Sequence, residues 1–337
     1  MSVTIRDVAQ KCGQPLHLVG RVLEDYRAVD EGTREAILAA ARELGYPLEG
    51  KGKQYHTHNL GVLFVDESYS GITHPFFASM LNAFKAEVER RGYDITFINH
   101  GMSDQSATFL DHCRFRNVDG VCLACVDFYS QEVTDLLASE IPCVTVDHPT
   151  DRHPCIISDN DDGVKQLVEY ALENGHERIA FVSGQRNSEV TETRIRQFHD
   201  TMKAHGLSVP DGYFIEARYG DADAVREAVS KLLDLPERPT CILLPDDPTY
   251  FAAQEVIREH ELRIPADISV AGYDGIGLTQ SLRPQLTTIR QDSEGMGREA
   301  AIRLVERLEH PDTAAPVRVT IPVKLIKGGT MGWCSNW

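Results

Sequence analysis

The sequence predicts an α/β protein in two parts: a three-helix N-terminal unit, then a two-lobed domain built on parallel sheets. Three observations carry this. Helical periodicity with glycine stops fills the first fifty residues. Short apolar strands alternate with amphipathic helices from Leu60 onward. A polar stretch with two glycines, Glu49 to Asn59, separates the two patterns as a linker.

In the N-terminal unit, Thr4-x-x-Asp7 has capping-box spacing, and Ile5, Val8, Ala9 and Cys12 form one apolar face. Gly13 breaks this helix, and Pro15 fits the first turn of the next, whose inward residues are Leu18, Val19, Val22 and Leu23. After a turn near Tyr26 to Asp30, a third helix runs from Glu31 to Leu44 with Ile37, Leu38, Ala41 and Leu44 inward, and Gly45 stops it. Three short helices with a glycine turn between the first two match a helix-turn-helix, whose second helix enters the major groove of DNA. A generic three-helix bundle fits the same spacing.

Expected strands in the large domain are Leu60–Val65, Ile95–Ile98, Gly120–Val126, Cys143–Val146, Ile179–Val182, Tyr213–Ile215, Cys241–Leu244 and Ser269–Ala271. The helices between them are typified by Pro75–Arg91, with Phe77, Met80, Leu81, Phe84 and Val88 inward. Alternating βα units predict parallel sheets covered by helices on both faces. About 270 residues exceed one comfortable core, so the domain divides into two lobes.

Composition narrows the function. The 337 residues carry a net charge of −17, so contact with nucleic acid must come from a local patch. No apolar stretch is long enough to span a membrane, and Met1 to Gln10 lacks the apolar core of a secretion signal, which predicts the cytoplasm. Eight cysteines are read as free thiols of a reducing compartment. Cys122 and Cys125 form a C-x-x-C, but no second pair follows at zinc-site spacing, so no metal is expected. With no nucleophile elbow, phosphate loop or dinucleotide fingerprint, the chain is expected to be no enzyme and to need no cofactor.

The run Thr4-Ile5-Arg6-Asp7-Val8-Ala9, then Gly13, Val19, Arg21-Val22-Leu23, Thr33-Arg34 and Leu44-Gly45-Tyr46 resembles the headpiece of LacI/GalR transcriptional regulators. It departs from that pattern at Gln14-Pro15, which replaces Val-Ser, and at Leu18 and Gly20, which replace phosphate-binding hydroxyls. Glu24 stands in place of an asparagine. Residues 1–50 hold six Arg/Lys against eight Asp/Glu, a net −2. The resemblance implies Thr4, Leu16, His17 and Arg21 as DNA contacts, with Leu16 and His17 the base readers. In the linker the family's hinge-helix signature is missing; Lys51 and Lys53 are candidates for phosphate contact and Tyr55 for a minor-groove wedge, against a plain flexible tether.

The resemblance continues through His74-Pro75-Phe76-Phe77, Val118-Asp119-Gly120, Gly175-His176-Glu177-Arg178 and Ile264-Pro265 to Asp274, into an effector domain similar to periplasmic sugar-binding proteins. It implies a headpiece at 1–48, a linker at 49–59, an effector domain at 60–330 and a tail at 331–337. Crossings near Asp159, Ile289 and Thr320 would divide the effector domain into an N-lobe (60–158 and 290–319) and a C-lobe (160–288 and 321–330). A sugar needs carboxylates, amides or arginine for its hydroxyls and an aromatic face for its ring. The resemblance assigns Asp246, Asp274, Arg194 and Gln291 to the first task; Tyr69, Phe76 and Tyr219 are candidates for the second. Phe76 also reads as helix core, and Asp159 either faces ligand or caps the next helix. His176 is read as structural. The expected function is a homodimeric repressor of carbohydrate genes that binds operator DNA under the control of a small sugar or sugar phosphate. The competing readings are a sugar-binding module whose headpiece has lost DNA affinity, and a transport-type binding protein.

Overall fold

Local capping chemistry sets the limits of the first unit. The Thr4 amide and hydroxyl both donate to Asp7 Oδ2 at 2.7 Å at the start of α1 (Ile5–Cys12), which ends on Gly13 in left-handed backbone, φ +67°. Next come α2 (Leu16–Leu23) and α3 (Glu31–Leu44), the latter capped by Asp30, which accepts from the Thr33 amide at 2.9 Å. Val8, Val19, Val22, Leu23, Ile37 and Ala41 are buried at the centre. Ile5, Ala9, Cys12, Leu18, Leu38 and Leu44 pack around them, partly buried. The computed structural model describes residues 3–23, 29–46, 57–65, 71–100, 107–186, 188–311 and 314–334. The chain forms two compact units, 1–57 and 58–337.

The second unit contains two six-stranded sheets. The N-lobe begins with β1 (Asn59–Phe64), α4 (Pro75–Arg90), β2 (Asp94–Ile98), α5 (Phe109–Phe115), β3 (Gly120–Ala124), α6 (Gln131–Ala138), β4 (Cys143–Val146) and β5 (Cys155–Ser158). The C-lobe follows with α7 (Asn160–Glu173), β6 (Ile179–Ser183), α8 (Glu189–Ala204), β7 (Phe214–Glu216), α9 (Ala222–Leu233), β8 (Cys241–Leu243), α10 (Tyr250–Glu259), β9 (Ser269–Asp274), α11 (Gly277–Gln280) and β10 (Thr287–Arg290). The chain then returns to the N-lobe for α12 (Ser293–Glu309) and β11 (Arg318–Ile321), and to the C-lobe for β12 (Lys324–Ile326).

Strand order is β11-β5-β4-β3-β1-β2 in the N-lobe and β12-β10-β9-β8-β6-β7 in the C-lobe. The central strands β3, β4, β5, β6 and β8 are buried along their whole length, as parallel strands covered on both faces must be. One pairing departs from the all-parallel expectation: β12 runs antiparallel to β10, with Arg290 opposite Lys324. The cause is the hinge. The chain leaves the C-lobe at the end of β10 and re-enters beside that end, so it must run back alongside.

Four strands went unforeseen: β5, β10, β11 and β12. They are the strands next to the crossings. β10 carries the C-lobe to Arg290 and β11 carries the N-lobe to Ile321, so the second and third crossings fall slightly later than Ile289 and Thr320. Phe77, expected inward, is only partly buried and packs against the core through Phe64 and Phe76. The residues after 330 also continue the fold. The Thr330 hydroxyl donates to Val270 O at 2.7 Å, the Cys334 amide donates to Asn174 O at 2.8 Å, and Met331 is buried. The buried His176 joins Thr240 Oγ1 and Gly332 O, each at 3.0 Å, so its role is to fasten this segment. No helix of the described residues is long and apolar enough to cross a membrane.

Candidate ligand-binding site

Parallel sheets present the C-terminal ends of their strands, with the loops beyond them, to a common crevice. In the C-lobe, Asp246 and Asp247 follow β8, and Asp274 ends β9. In the N-lobe, Asp147 follows β4 by the same rule. Asp147 (φ +62°) and Asp274 (φ +113°) both hold backbone conformations that side-chain-bearing residues rarely adopt. Such strain persists where the surroundings enforce it, and it clusters at binding sites.

Arg194 lies in the second turn of α8 and is 6% exposed. Its Nε donates to Asn160 Oδ1 at 2.8 Å, and its guanidinium lies 3.6 Å from the centre of the Tyr273 ring. Burial opposes its charge, but Tyr273, Tyr219, Asp274 and Asp147 more than offset this and raise its pKa above the ordinary arginine value. Burial pushes the Asp147 carboxyl up to about 6 despite the attraction of Arg194, and its Oδ1 is buried with no hydrogen-bond partner. Asp274 is pushed well above the usual carboxylate range, first by burial and then by Asp247 and Asp246, while its Oδ1 accepts from Gln291 Nε2 at 2.7 Å. A polyhydroxylated molecule suits this set: Asp147 and Asp274 accept from hydroxyls, and arginine donates.

The predicted residues divide into distinct roles. Arg194 and Tyr219 border an enclosed hollow of only about 10 Å³, together with Gly184 and Tyr273. Tyr219 holds its place there through Thr191 Oγ1 at 3.0 Å. Phe76, Asp274 and Gln291 line an open cavity of about 490 Å³ between the lobes. Phe76 also belongs to the N-lobe core. Asp246 is only 2% exposed; its Oδ2 accepts from the Gly220 amide at 2.7 Å and its Oδ1 from the Thr249 amide at 2.9 Å. It therefore shapes the loop carrying Tyr219. Asp159 caps α7, accepting from the Asp162 amide at 3.0 Å. Tyr69 lies outside the described residues. Asp147 and Asn160 were not singled out as contacts. Asp147 obeys the strand-end rule that selected Asp246 and Asp274, whereas Asn160 bears no local mark.

Asp247 is fully buried; its carboxylate accepts from Thr288 Oγ1 at 2.6 Å, Thr279 Oγ1 at 2.7 Å and the Ile276 amide at 3.0 Å. Burial outweighs these bonds and sets its pKa at about 6. The folded state thus holds this proton more tightly than the unfolded chain, whose carboxyl titrates near about 3.9. Its contribution to stability is fully present below that pH and is lost as the pH rises through about 6. Asp247→Asn is expected to flatten the fall of the denaturant midpoint between pH 4 and 7; an undiminished fall would refute the assignment.

Among the described residues no group of three or more His, Cys, Asp or Glu side chains is placed to hold a metal, and none of the eight cysteines forms a disulfide. In the first unit, Leu16, His17 and Arg21 lie on the exposed face of α2, while Thr4 is engaged with Asp7. Lys51, Lys53 and Tyr55 lie outside the described residues.

Comparison with known proteins places this geometry. Residues 168–331 match the model of a periplasmic binding protein-like domain. The HTH-type transcriptional repressor PurR of Aliivibrio fischeri (strain MJ11) is 31% identical over 318 residues, 92% of this chain and 93% of that protein. The ribose operon repressor of Escherichia coli (strain K12) is 29% identical over 336 residues, 96% and 99% of the two chains. Among solved structures, the transcriptional regulator CelR in complex with cellobiose matches with a TM-score of 0.71 at 25% identity, covering 97% of this chain and 99% of that one. A lac repressor dimer bound to operator and the anti-inducer ONPF matches with a TM-score of 0.67 at 25% identity, covering 98% and 100%. The likeness to repressors runs through headpiece and effector domain together, and the chain belongs to the LacI/GalR family of transcriptional regulators.

Proposed function

We propose that this protein is a homodimeric, cytoplasmic repressor of carbohydrate genes that binds operator DNA through α2 and is controlled by a small sugar held between its lobes. The observation that carries the reading is an interlobe cavity of about 490 Å³ bordered by Asp274, Phe76 and Gln291, with the buried Arg194 within electrostatic reach of both Asp274 and Asp147. The CelR–cellobiose complex and the ribose operon repressor support a sugar as the ligand; the operator-bound lac repressor dimer supports DNA and a twofold assembly. The relatives are repressors, so the ligand is bound as a signal and is not turned over. Selection from random duplex DNA, paired with thermal-shift titration across mono- and disaccharides and their phosphates, tests the proposal. It predicts a palindromic consensus held at moderate salt and a stabilising sugar. Enrichment of no sequence would leave the sensor-only reading.

The acidic first fifty residues make DNA affinity improvable. A Cβ at Gly20 meets only Ile5 Cδ1, at an ordinary 3.6 Å, so a side chain fits there without strain. Gly20→Ser restores a hydroxyl on the exposed side of α2 and removes a helix-interior glycine. It is expected to tighten operator binding by about tenfold, as one charge-assisted hydrogen bond does. Fluorescence anisotropy with the selected duplex checks this; unchanged binding would show that α2 does not face phosphate.

A further inference from the structure

The first turn of α8 belongs to the C-lobe, yet two of its residues, Glu189 and Val190, reach the N-lobe. Val190 is 9% exposed and forms a buried cluster with Cys155 and Ile157 of β5, apart from the two cores of its own lobe. Glu189 pairs with Arg318 of β11, Oε1 to Nη1 at 3.3 Å. Glu189 also lies within electrostatic reach of His148, whose ring stacks on Phe128 at 4.2 Å and 5°. One turn further along the same helix, Arg194 interacts with Asp147, which stands beside His148 in the N-lobe. The contacts of Val190, Glu189 and Arg194 in this set cross from one lobe to the other.

We propose that the first turn of α8 is an interlobe clasp: Val190 and Glu189 seat the helix on β5 and β11, and this seating sets Arg194 opposite Asp147 in the ligand-gripping arrangement. Val190 and Glu189 are positioning residues that act through Arg194, and the inference rests on Arg194 as a ligand contact. The apolar insertion supplies the hold, because an ion pair as exposed as Glu189–Arg318 adds little. The ion pair supplies the register, since it fixes where along the N-lobe edge the helix lands. Arg194 is fastened on its other side by Asn160, whose Nδ2 donates to Ser158 O at 3.0 Å across the first crossing. The arginine is therefore tied to the N-lobe at both the hinge and the clasp, and opening the lobes must move it away from Asp147.

Hydrogen–deuterium exchange on the full chain tests the clasp without a ligand. Val190→Glu is expected to speed exchange of the amides of 188–194 and 155–158 by tenfold or more while far-UV circular dichroism and the α9 and α10 amides stay unchanged. Glu189→Arg and Arg318→Glu should each speed the same amides by about twofold to fivefold, the range an exposed ion pair supports. Together, with the charges exchanged, they should restore protection. A helix-capping role for Glu189 gives no such rescue, so additive losses in the double variant overturn the proposal. So does α8 exchange left unchanged by Val190→Glu. The sugar that stabilises the wild type should bind Val190→Glu at least tenfold more weakly. If no sugar in the panel stabilises the wild type, the effector reading fails, while the exchange data still decide the clasp.

Discussion

Arg194→Met is expected to weaken binding of the stabilising sugar by roughly 100-fold, about 3 kcal/mol, the cost of truncating one partner of a buried charged network. The methionine keeps most of the apolar stem but removes the guanidinium that lies over Tyr273, and with it every donor. The change leaves Asn160 Oδ1 without its main donor and Asp147 without its attracting charge. Isothermal titration calorimetry on a variant shown folded by circular dichroism reads the effect. Binding within threefold of wild type would place the ligand elsewhere.

Gly297→Val is expected to be the most damaging single change in the N-lobe. Helices α4 and α12 cross with Gly297 set against the backbone of α4, and a Cβ there would run into the Met80 carbonyl and crowd the Phe84 amide. Backbone cannot yield as a flexible side chain does, so the helices must separate. The cluster of Met80, Phe84, Met296, Ala300 and Leu304 then loses its packing. Overpacking of this kind costs about 3 kcal/mol or more. A denaturant midpoint within experimental error of the wild type would show that the crossing is looser than its geometry implies.

The parts of this fold legible in the sequence are those fixed by short-range chemistry. Thr4 with Asp7, Gly13, Asp30 and Gly45 are local capping signals, and α3 falls on its expected limits, Glu31 to Leu44. Strands whose residues are apolar throughout, such as β3 and β4, are recognised because both faces of a parallel sheet are buried. The strands overlooked have other causes. β11 and β12 are edge strands, half exposed and only four and three residues long, too short to show a strand period. β5 and β10 sit against the crossings, and sequence periodicity gives no sign of where a chain changes lobes.

The site shows the same divide. A carboxylate beyond a strand tip marks the cleft, and that rule reaches Asp274 and also Asp147. It does not say where the oxygens point. Asp246 turns both of its oxygens to backbone amides and builds the loop, whereas Asp147 keeps one oxygen unpartnered. Arg194 owes its setting to Asn160 on the neighbouring helix and Tyr273 on the sheet, 34 residues distant for the first of these. No spacing rule encodes such a meeting.

Coupling between the two sites is the central claim, and one measurement tests it most directly. Fluorescence anisotropy of the full chain on its selected duplex, titrated with and without the sugar that raises its melting temperature, reads both sites at once. A ligand that favours one lobe arrangement must shift DNA affinity by its differential binding energy. The account predicts a change of at least tenfold that disappears in Arg194→Met. A sugar that stabilises the protein and leaves DNA affinity untouched would contradict it.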